Sequence, residues 1–202
     1  GLTETSPVVS CNPIHKIKVE TVGPPFKGNE VKIAEDGEIL VKGENVMLGY
    51  WNKKEETDKV IINGWLHTGD IGEIDPKDGY LKITDRKKDI IISPGGDNIS
   101  PVKLENDIVK VDFIEQALVY GDNKPYLVAL LVLNKEKKEI SNQDIIQEIE
   151  IINKNLSKIE KIKKFLIIED QFTIENGLMT PTLKLKRYKI IQKYKNQIEN
   201  LY

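Results

Sequence analysis

Apolar and polar residues alternate through VKIAEDGEILVKG, residues 31–43, on both sides of Asp36-Gly37. Alternation of period two around an Asp-Gly pair predicts a β-hairpin. GWLHTGDIGEID (64–75) and GYLKITDRKKDIIIS (79–93) also read as strands, with Lys77-Asp78-Gly79 turning the chain between them, while KKEETDKVI (53–61) has helical composition. Residues 1–30 carry Pro7, Pro13 and the GPPFKG stretch and read as loop with short strands. The first part of the chain is therefore mostly β with many turns.

After Arg86 the period changes. In SPVKLENDIVKV, Ser100 stands at an N-cap and Pro101 at the first helical position. FIEQALVYG and YLVALLVLN are buried strands joined by Asp122-Asn123-Lys124-Pro125. From Asn142 to Lys164, Ile145, Ile146, Ile149, Ile152, Leu156 and Ile159 recur at helical spacing and predict one long helix. FLIIED adds a strand, and residues 187–201 form a closing helix. The expected fold class is α+β: a β-rich segment over 1–85, then a small α+β domain with its own core over 86–202. The border lies near Asp85 to Asp89.

Charge narrows the function classes. Thirty basic and 32 acidic residues leave a net charge of -2, so no global field draws the chain to nucleic acid or to a membrane, and an anion site must be local. Cys11 is the lone cysteine, which excludes an intrachain disulfide and suits a cytoplasmic setting. His15 and His67 are the two histidines, too few for a His-rich metal cage. No apolar run approaches the ~20 residues that span a bilayer.

Four stretches carry candidate chemistry, and each has an ordinary structural explanation too. Thr3 and Glu4 can offer a hydroxyl to phosphate and a carboxylate to Mg2+, or form a solvated loop. Asp70, after Gly69, can accept bonds from ribose hydroxyls, or simply form a turn; His67 reads as a packing or hydrogen-bonding residue. Arg86 can hold a ribose or phosphate oxygen in its guanidinium fork, and Gly95-Gly96 lets backbone approach a ligand, or the stretch is a charged hairpin with a glycine turn. No GK[ST] or GxGxxG phosphate loop is present. Finally, GLMTPTLKLKRYK (177–189) is a cation source or a charge run at a helix start.

The order and separation of GLTET, GEILVKGENVMLGYW, GWLHTGD, DRKKDIIISPGGDNISP and TPTLKLKR point one way. The chain resembles the carboxy-terminal part of the adenylate-forming acyl-CoA synthetases over nearly its whole length. GLMTPTLKLKR and QALVYGDNKPYLVALLV are most similar to the long-chain fatty acyl-CoA synthetases. Many members of the family have Gly before the conserved lysine, where this chain has Leu183.

The resemblance implies ATP, Mg2+ and CoA as reaction partners of a fatty acid. It implies Thr3 on nucleotide phosphate, Glu4 on Mg2+, Asp70 and Arg86 on ribose, and Ile83 against the nucleoside. Lys88 would be the hinge, Gly95 and Gly96 would line the route of the CoA arm, and Lys184 would be the catalytic lysine, with Lys186 the alternative register. Lys186, Arg187 and Lys189 would be solvated or steer phosphate. Residues preceding Gly1 would supply the phosphate loop and fatty-acid tunnel, so the chain alone is expected to have little activity. Any membrane contact would be peripheral. Two other readings stand beside this one. The first is a non-catalytic module holding anionic lipid or RNA through KIEKIKK or KLKRYK; the second is a ligase for another acid.

Overall fold

The computed structural model describes residues 1–134 and 140–202. The chain divides into two compact units, residues 1–88 and 89–202.

The first unit is a five-stranded sheet. The hairpin expected around Asp36-Gly37 is β1 (Glu30–Ile33) and β2 (Glu38–Lys42), antiparallel with Val31 opposite Val41. Helix α1 (Lys54–Val60) leads into the short β3 (Ile61–Ile62). The long β4 (Trp65–Ile74) pairs with β2, β3 and β5 (Leu81–Arg86). Val9, Ile39, Val41 and Leu81 form the buried core of this unit. Residues 79–93 are not one strand: β5 stops at Arg86, a 3-10 turn occupies Lys87–Asp89, and a new strand follows. Arg86 to Lys88 belong with the first unit, because Arg86 ends β5 and Lys87 is bonded to Asp36 and Glu38.

The second unit opens with the small hairpin β6 (Ile91–Ile92) and β7 (Asn98–Ile99). Helix α2 (Pro101–Ile108) has the expected cap, with Ser100 Oγ accepting from the Lys103 N–H. Next come β8 (Ile114–Tyr120) and β9 (Leu127–Leu133), then α3 (Asn142–Lys154) and β10 (Ile162–Ile168). The sheet order is β10-β9-β8, parallel at β9–β10 and antiparallel at β8–β9. Ala117, Val119, Ala129 and Leu131 face one core with Leu104, Ile108, Ile145 and Ile149 of α2 and α3. Leu118, Val128, Leu130 and Val132 face a second core with residues of α4 (Arg187–Lys193) and α5 (Lys195–Glu199). Covering on both faces explains why β9 is apolar throughout rather than alternating. Each fully buried aliphatic side chain contributes about 1.5–3 kcal/mol.

Two helices are shorter than the periodicity predicts. Helix α3 ends at Lys154, not Lys164. The Asn153 amide both donates to the Ile162 carbonyl (2.8 Å) and accepts from its N–H (2.9 Å), and Ser157 bonds to Glu160. These local side-chain bonds outcompete further helix. Leu156 still packs on the core, whereas Ile159 is exposed. The closing helix departs from helical geometry at Tyr194 (φ −101°, ψ 15°), whose ring is buried against Phe172 at 6.4 Å. Among the described residues, no helix is long and apolar enough to cross a membrane.

Candidate functional site

The candidate site of the first unit is built on an irregularity in β4. Glu38 pairs with Ile71 and Leu40 with His67, so Thr68, Gly69 and Asp70 stand outside regular register with β2. Gly69 adopts φ +70°, where a side chain would cost about 1–2 kcal/mol. The bulge is held by hydrogen bonds: Thr68 Oγ1 donates to the Ile39 carbonyl (2.7 Å), and the Asp70 N–H donates to Thr68 Oγ1 (3.1 Å). The Gly69 N–H donates to Glu38 Oε1 at 2.8 Å.

Asp70 lies directly opposite Arg86 on β5, and the Arg86 Nε donates to Asp70 Oδ1 at 2.8 Å. Asp70 is nearly covered, with 13% of its side chain exposed, against 47% for Arg86. A second irregularity lies on β5. Ile71 pairs with Asp85 and Gly72 with Ile83, which leaves Thr84 as an extra residue. Directly opposed residues share a sheet face. Ile83 and Arg86 therefore emerge on the same side although three positions apart in sequence. Ile83 is exposed and lies outside the lining of the neighbouring cleft.

That cleft, of about 1180 Å³, is lined by residues including Thr3, Glu4, Tyr50, His67, Arg86 and Lys87. The 3-10 turn Thr3–Thr5 is fastened where the Met47 N–H donates to the Glu4 carbonyl (2.8 Å). The Tyr50 hydroxyl donates to Glu4 Oε1 at 2.8 Å, and this bond pushes the Tyr50 pKa up. Among the described residues, no group of three acidic, histidine or cysteine side chains could hold a metal by itself. One carboxylate at the edge of a cleft still fits Mg2+, which takes one or two carboxylates and completes its shell with substrate phosphates and water.

Glu38 was not singled out by its sequence position, yet it is the most buried charge of this cleft. Only 4% of its side chain is exposed. It accepts from Lys87 Nζ (2.9 Å) and the Gly69 N–H, and pairs with His67 Nδ1 (2.9 Å). Burial opposes its ionisation, but the Lys87, His67 and Gly69 donors together hold its carboxyl below the usual range. Lys87 also reaches Asp36 at 2.7 Å, and these two carboxylates raise the Lys87 pKa. The available signal was the strand itself: Glu38 shares a face with Leu40, and an acidic residue on such a face needs partners.

Of the expected site residues, Thr3, Glu4, Arg86 and Lys88 thus line one cleft, with Asp70 bonded to Arg86. The exposed Lys88 closes the first unit. Gly95, Gly96 and Lys184 belong to the second unit. Gly96 turns the β6–β7 hairpin at φ +87°; around it Ser93 Oγ donates to Asp97 Oδ2 and accepts from the Gly95 and Asp97 N–H groups. Lys184 is exposed on a tight loop in which the Lys184 N–H donates to Thr180 Oγ1 (3.0 Å) and the Thr180 N–H to the Lys184 carbonyl (2.8 Å). Arg187 corrects an expectation: it is not solvated. Its guanidinium is bonded to Glu105 Oε1 and to the Val119 carbonyl, and each partner in the ion pair is 12% exposed.

Comparison with known proteins gives this arrangement its context. Residues 88–202 match the model for the AMP-binding enzyme C-terminal domain, and residues 1–51 match the AMP-binding enzyme model. The chain is 38% identical to the long-chain-fatty-acid–CoA ligase FadD15 of Mycobacterium tuberculosis, over all of this chain and 37% of that protein. It is 34% identical to the long-chain-fatty-acid–[acyl-carrier-protein] ligase AEE15 of Arabidopsis thaliana, over all of this chain and 32% of that protein. It therefore spans about a third of the length of these relatives. Among solved structures it is similar to the O-succinylbenzoate coenzyme A synthetase MenE of Bacillus subtilis in complex with AMP. The TM-score is 0.73 at 30% identity, covering 93% of this chain and 39% of that one. With a matching model over more than half its length and the α+β architecture described above, the chain belongs to the AMP-binding, adenylate-forming enzyme family and contains its carboxy-terminal domain.

Proposed function

We propose that the chain is the carboxy-terminal part of an AMP-forming ligase that activates a long-chain fatty acid with ATP and passes the acyl group to CoA. In the first step the acid carboxylate attacks the α-phosphorus of ATP, the bond to the β-phosphate oxygen breaks, and acyl-AMP and pyrophosphate form. In the second step the CoA thiolate attacks the acyl carbonyl and AMP leaves. Asp70 and Arg86 bind the ribose hydroxyls, Thr3 a phosphate oxygen, and Ile83 packs near the nucleoside. Glu4 supplies a carboxylate oxygen to Mg2+, which neutralises phosphate charge when bound. Lys184 stabilises the negative charge that grows on the phosphoryl oxygens, an effect that requires a water-poor site. Lys88 is the hinge about which the small domain turns between the steps, and Gly95-Gly96 lines the path of the CoA arm.

The observation that carries this reading is the Asp70–Arg86 pair. It lies in register where the last residue of β5 meets the bulged middle of β4, beside a cleft that Thr3 and Glu4 also line. A paired carboxylate and guanidinium offer an acceptor and a fork of donors, which suits vicinal hydroxyls. The similarity to FadD15 supports a fatty acid as substrate. The similarity to AEE15 and MenE keeps a carrier-protein acceptor and an aryl acid as alternatives, which product analysis with and without CoA separates.

The test is ATP–pyrophosphate exchange with fatty acids. The 202-residue chain has no phosphate loop of its own and is expected to show negligible exchange; the full polypeptide is expected to show it. There, Lys184→Ala should lower adenylate formation by about 10²–10³-fold, the usual effect of losing one transition-state donor, and spare thioester formation from preformed acyl-AMP. Equal loss of both steps contradicts the assigned role, and robust exchange by the chain alone contradicts its dependence on a preceding part.

A further inference from the structure

The loop that carries Lys184 is anchored at its foot by an ion pair. Strand β8 lies at the edge of its sheet, where backbone groups lack a neighbouring strand. At Val119 that edge is covered by side chains: the Val119 N–H donates to Glu105 Oε1 (2.7 Å), and the Val119 carbonyl accepts from Arg187 Nη2. Arg187 Nη1 closes the ring by binding the same Glu105 oxygen. Helix α2, strand β8 and the first residue of α4 are thereby joined through one nearly buried guanidinium.

Three residues upstream stands Lys184. Between it and the sheet the loop is internally bonded, with Leu185 bridged to Met179 and the Lys186 N–H donating to the Leu178 carbonyl (2.8 Å). Leu178 is buried in the second core. At the tip, the Leu183 N–H donates to the Thr180 carbonyl (2.9 Å), and Leu183 holds φ +59°. The loop thus has two fixed feet, Leu178 in the core and Arg187 on the sheet edge.

We propose that Arg187, with Glu105, is a positioning residue for Lys184: the clamp on Val119 fixes the frame from which the ammonium is presented. This rests on the reading of Lys184 as the cation of adenylate formation. A lysine ammonium is a point charge on a long flexible stem, so the accuracy of its placement depends on a rigid base. Misplacing a reacting group by about 1 Å can reduce a rate about 10²-fold. A lysine at 187 keeps the charge but loses the fork that binds carboxylate and carbonyl together.

The experiment compares Arg187→Lys and Glu105→Gln with the unmodified protein in two measurements. In the 202-residue chain, amide hydrogen exchange should quicken by about tenfold at Lys184 and Lys186 and stay unchanged across β9. In the full polypeptide, adenylate formation should fall about 10- to 100-fold, while thioester formation from preformed acyl-AMP stays within about twofold. On a Lys184→Ala background the Arg187→Lys effect should vanish. Unchanged loop exchange, a uniform rise across the unit, or equal loss of both half-reactions each overturns the proposal, and Glu105→Gln decides the matter if Arg187→Lys does not fold. Normal adenylation by Lys184→Ala would sink the reading of Lys184 and this proposal together. A defective Lys184→Ala beside a fully active Arg187→Lys would sink the proposal alone.

Discussion

Glu38 is a carboxylate almost wholly removed from water, and such a charge survives only where donors replace its hydration. Here Lys87, His67 and the Gly69 N–H do so, and the last of these ties the carboxylate to the bulge that carries Asp70. Glu38→Gln keeps the shape and removes the charge, leaving Lys87 with Asp36 alone. Urea denaturation at pH 7 should show a loss of about 1–3 kcal/mol. Because the Glu38 pKa is lowered in the fold from its ordinary value of 4.5, its contribution is complete above that value and declines as pH falls through the lower folded value. The gap between wild type and variant should therefore narrow on acidification to about pH 3. A gap that widens instead would contradict the charged state of Glu38. Leu183 is the opposite kind of residue. It is exposed, and it adopts a left-handed backbone that costs a bulky side chain about 1–2 kcal/mol, in the loop that holds Lys184.

Among the elements, the boundary of α3 shows how local bonds override periodicity. Six apolar residues at helical spacing extend the pattern well beyond Lys154, but the Asn153 amide closes a two-bond ring with Ile162, the first residue of β10. That ring stops the helix and sets where the next strand begins. Asn153→Ala leaves the part-buried Ile162 N–H and carbonyl without their side-chain partner and should cost about 1–3 kcal/mol, read as a lower urea midpoint with unchanged slope. A variant of wild-type stability would mean that backbone pairing with Leu127 suffices to start β10. The bulges in β4 and β5 act in a similar way, since one extra residue, Thr84, turns Ile83 to the side of Arg86.

Taken whole, the molecule is two units with separate cores, and the second has a sheet covered on both faces. A unit with its own core should fold alone. Residues 89–202 expressed by themselves are expected to give dispersed amide resonances and a single cooperative thermal transition. Loss of both would show that the second unit depends on the first. That independence is also what the proposed alternation between two half-reactions requires of a domain that turns as a body.

Periodicity and punctuation determined a good part of this molecule. The Asp-Gly hairpin, the Ser-Pro start of α2, the apolar β8–β9 pair and the change from β-rich to α+β composition all follow from short-range preferences written in neighbouring residues. The motifs, through their order and spacing, also named the family. Tertiary structure decided what depends on residues far apart in the chain. Glu38 and Lys87 are 49 positions apart, and Glu105 and Arg187 are 82 apart, so neither charge pairing has a local signal. The C-terminal end of α3, stopped by the bonds of Asn153 to Ile162, and the alignment of Ile83 with Arg86, set by pairing with β4, likewise depended on which polar groups and strands met rather than on the apolar pattern. A pattern can show that a residue belongs to a helix, a strand or a charge run; only closure of the chain fixes which polar atom finds which donor, and those pairings are what place a site's side chains.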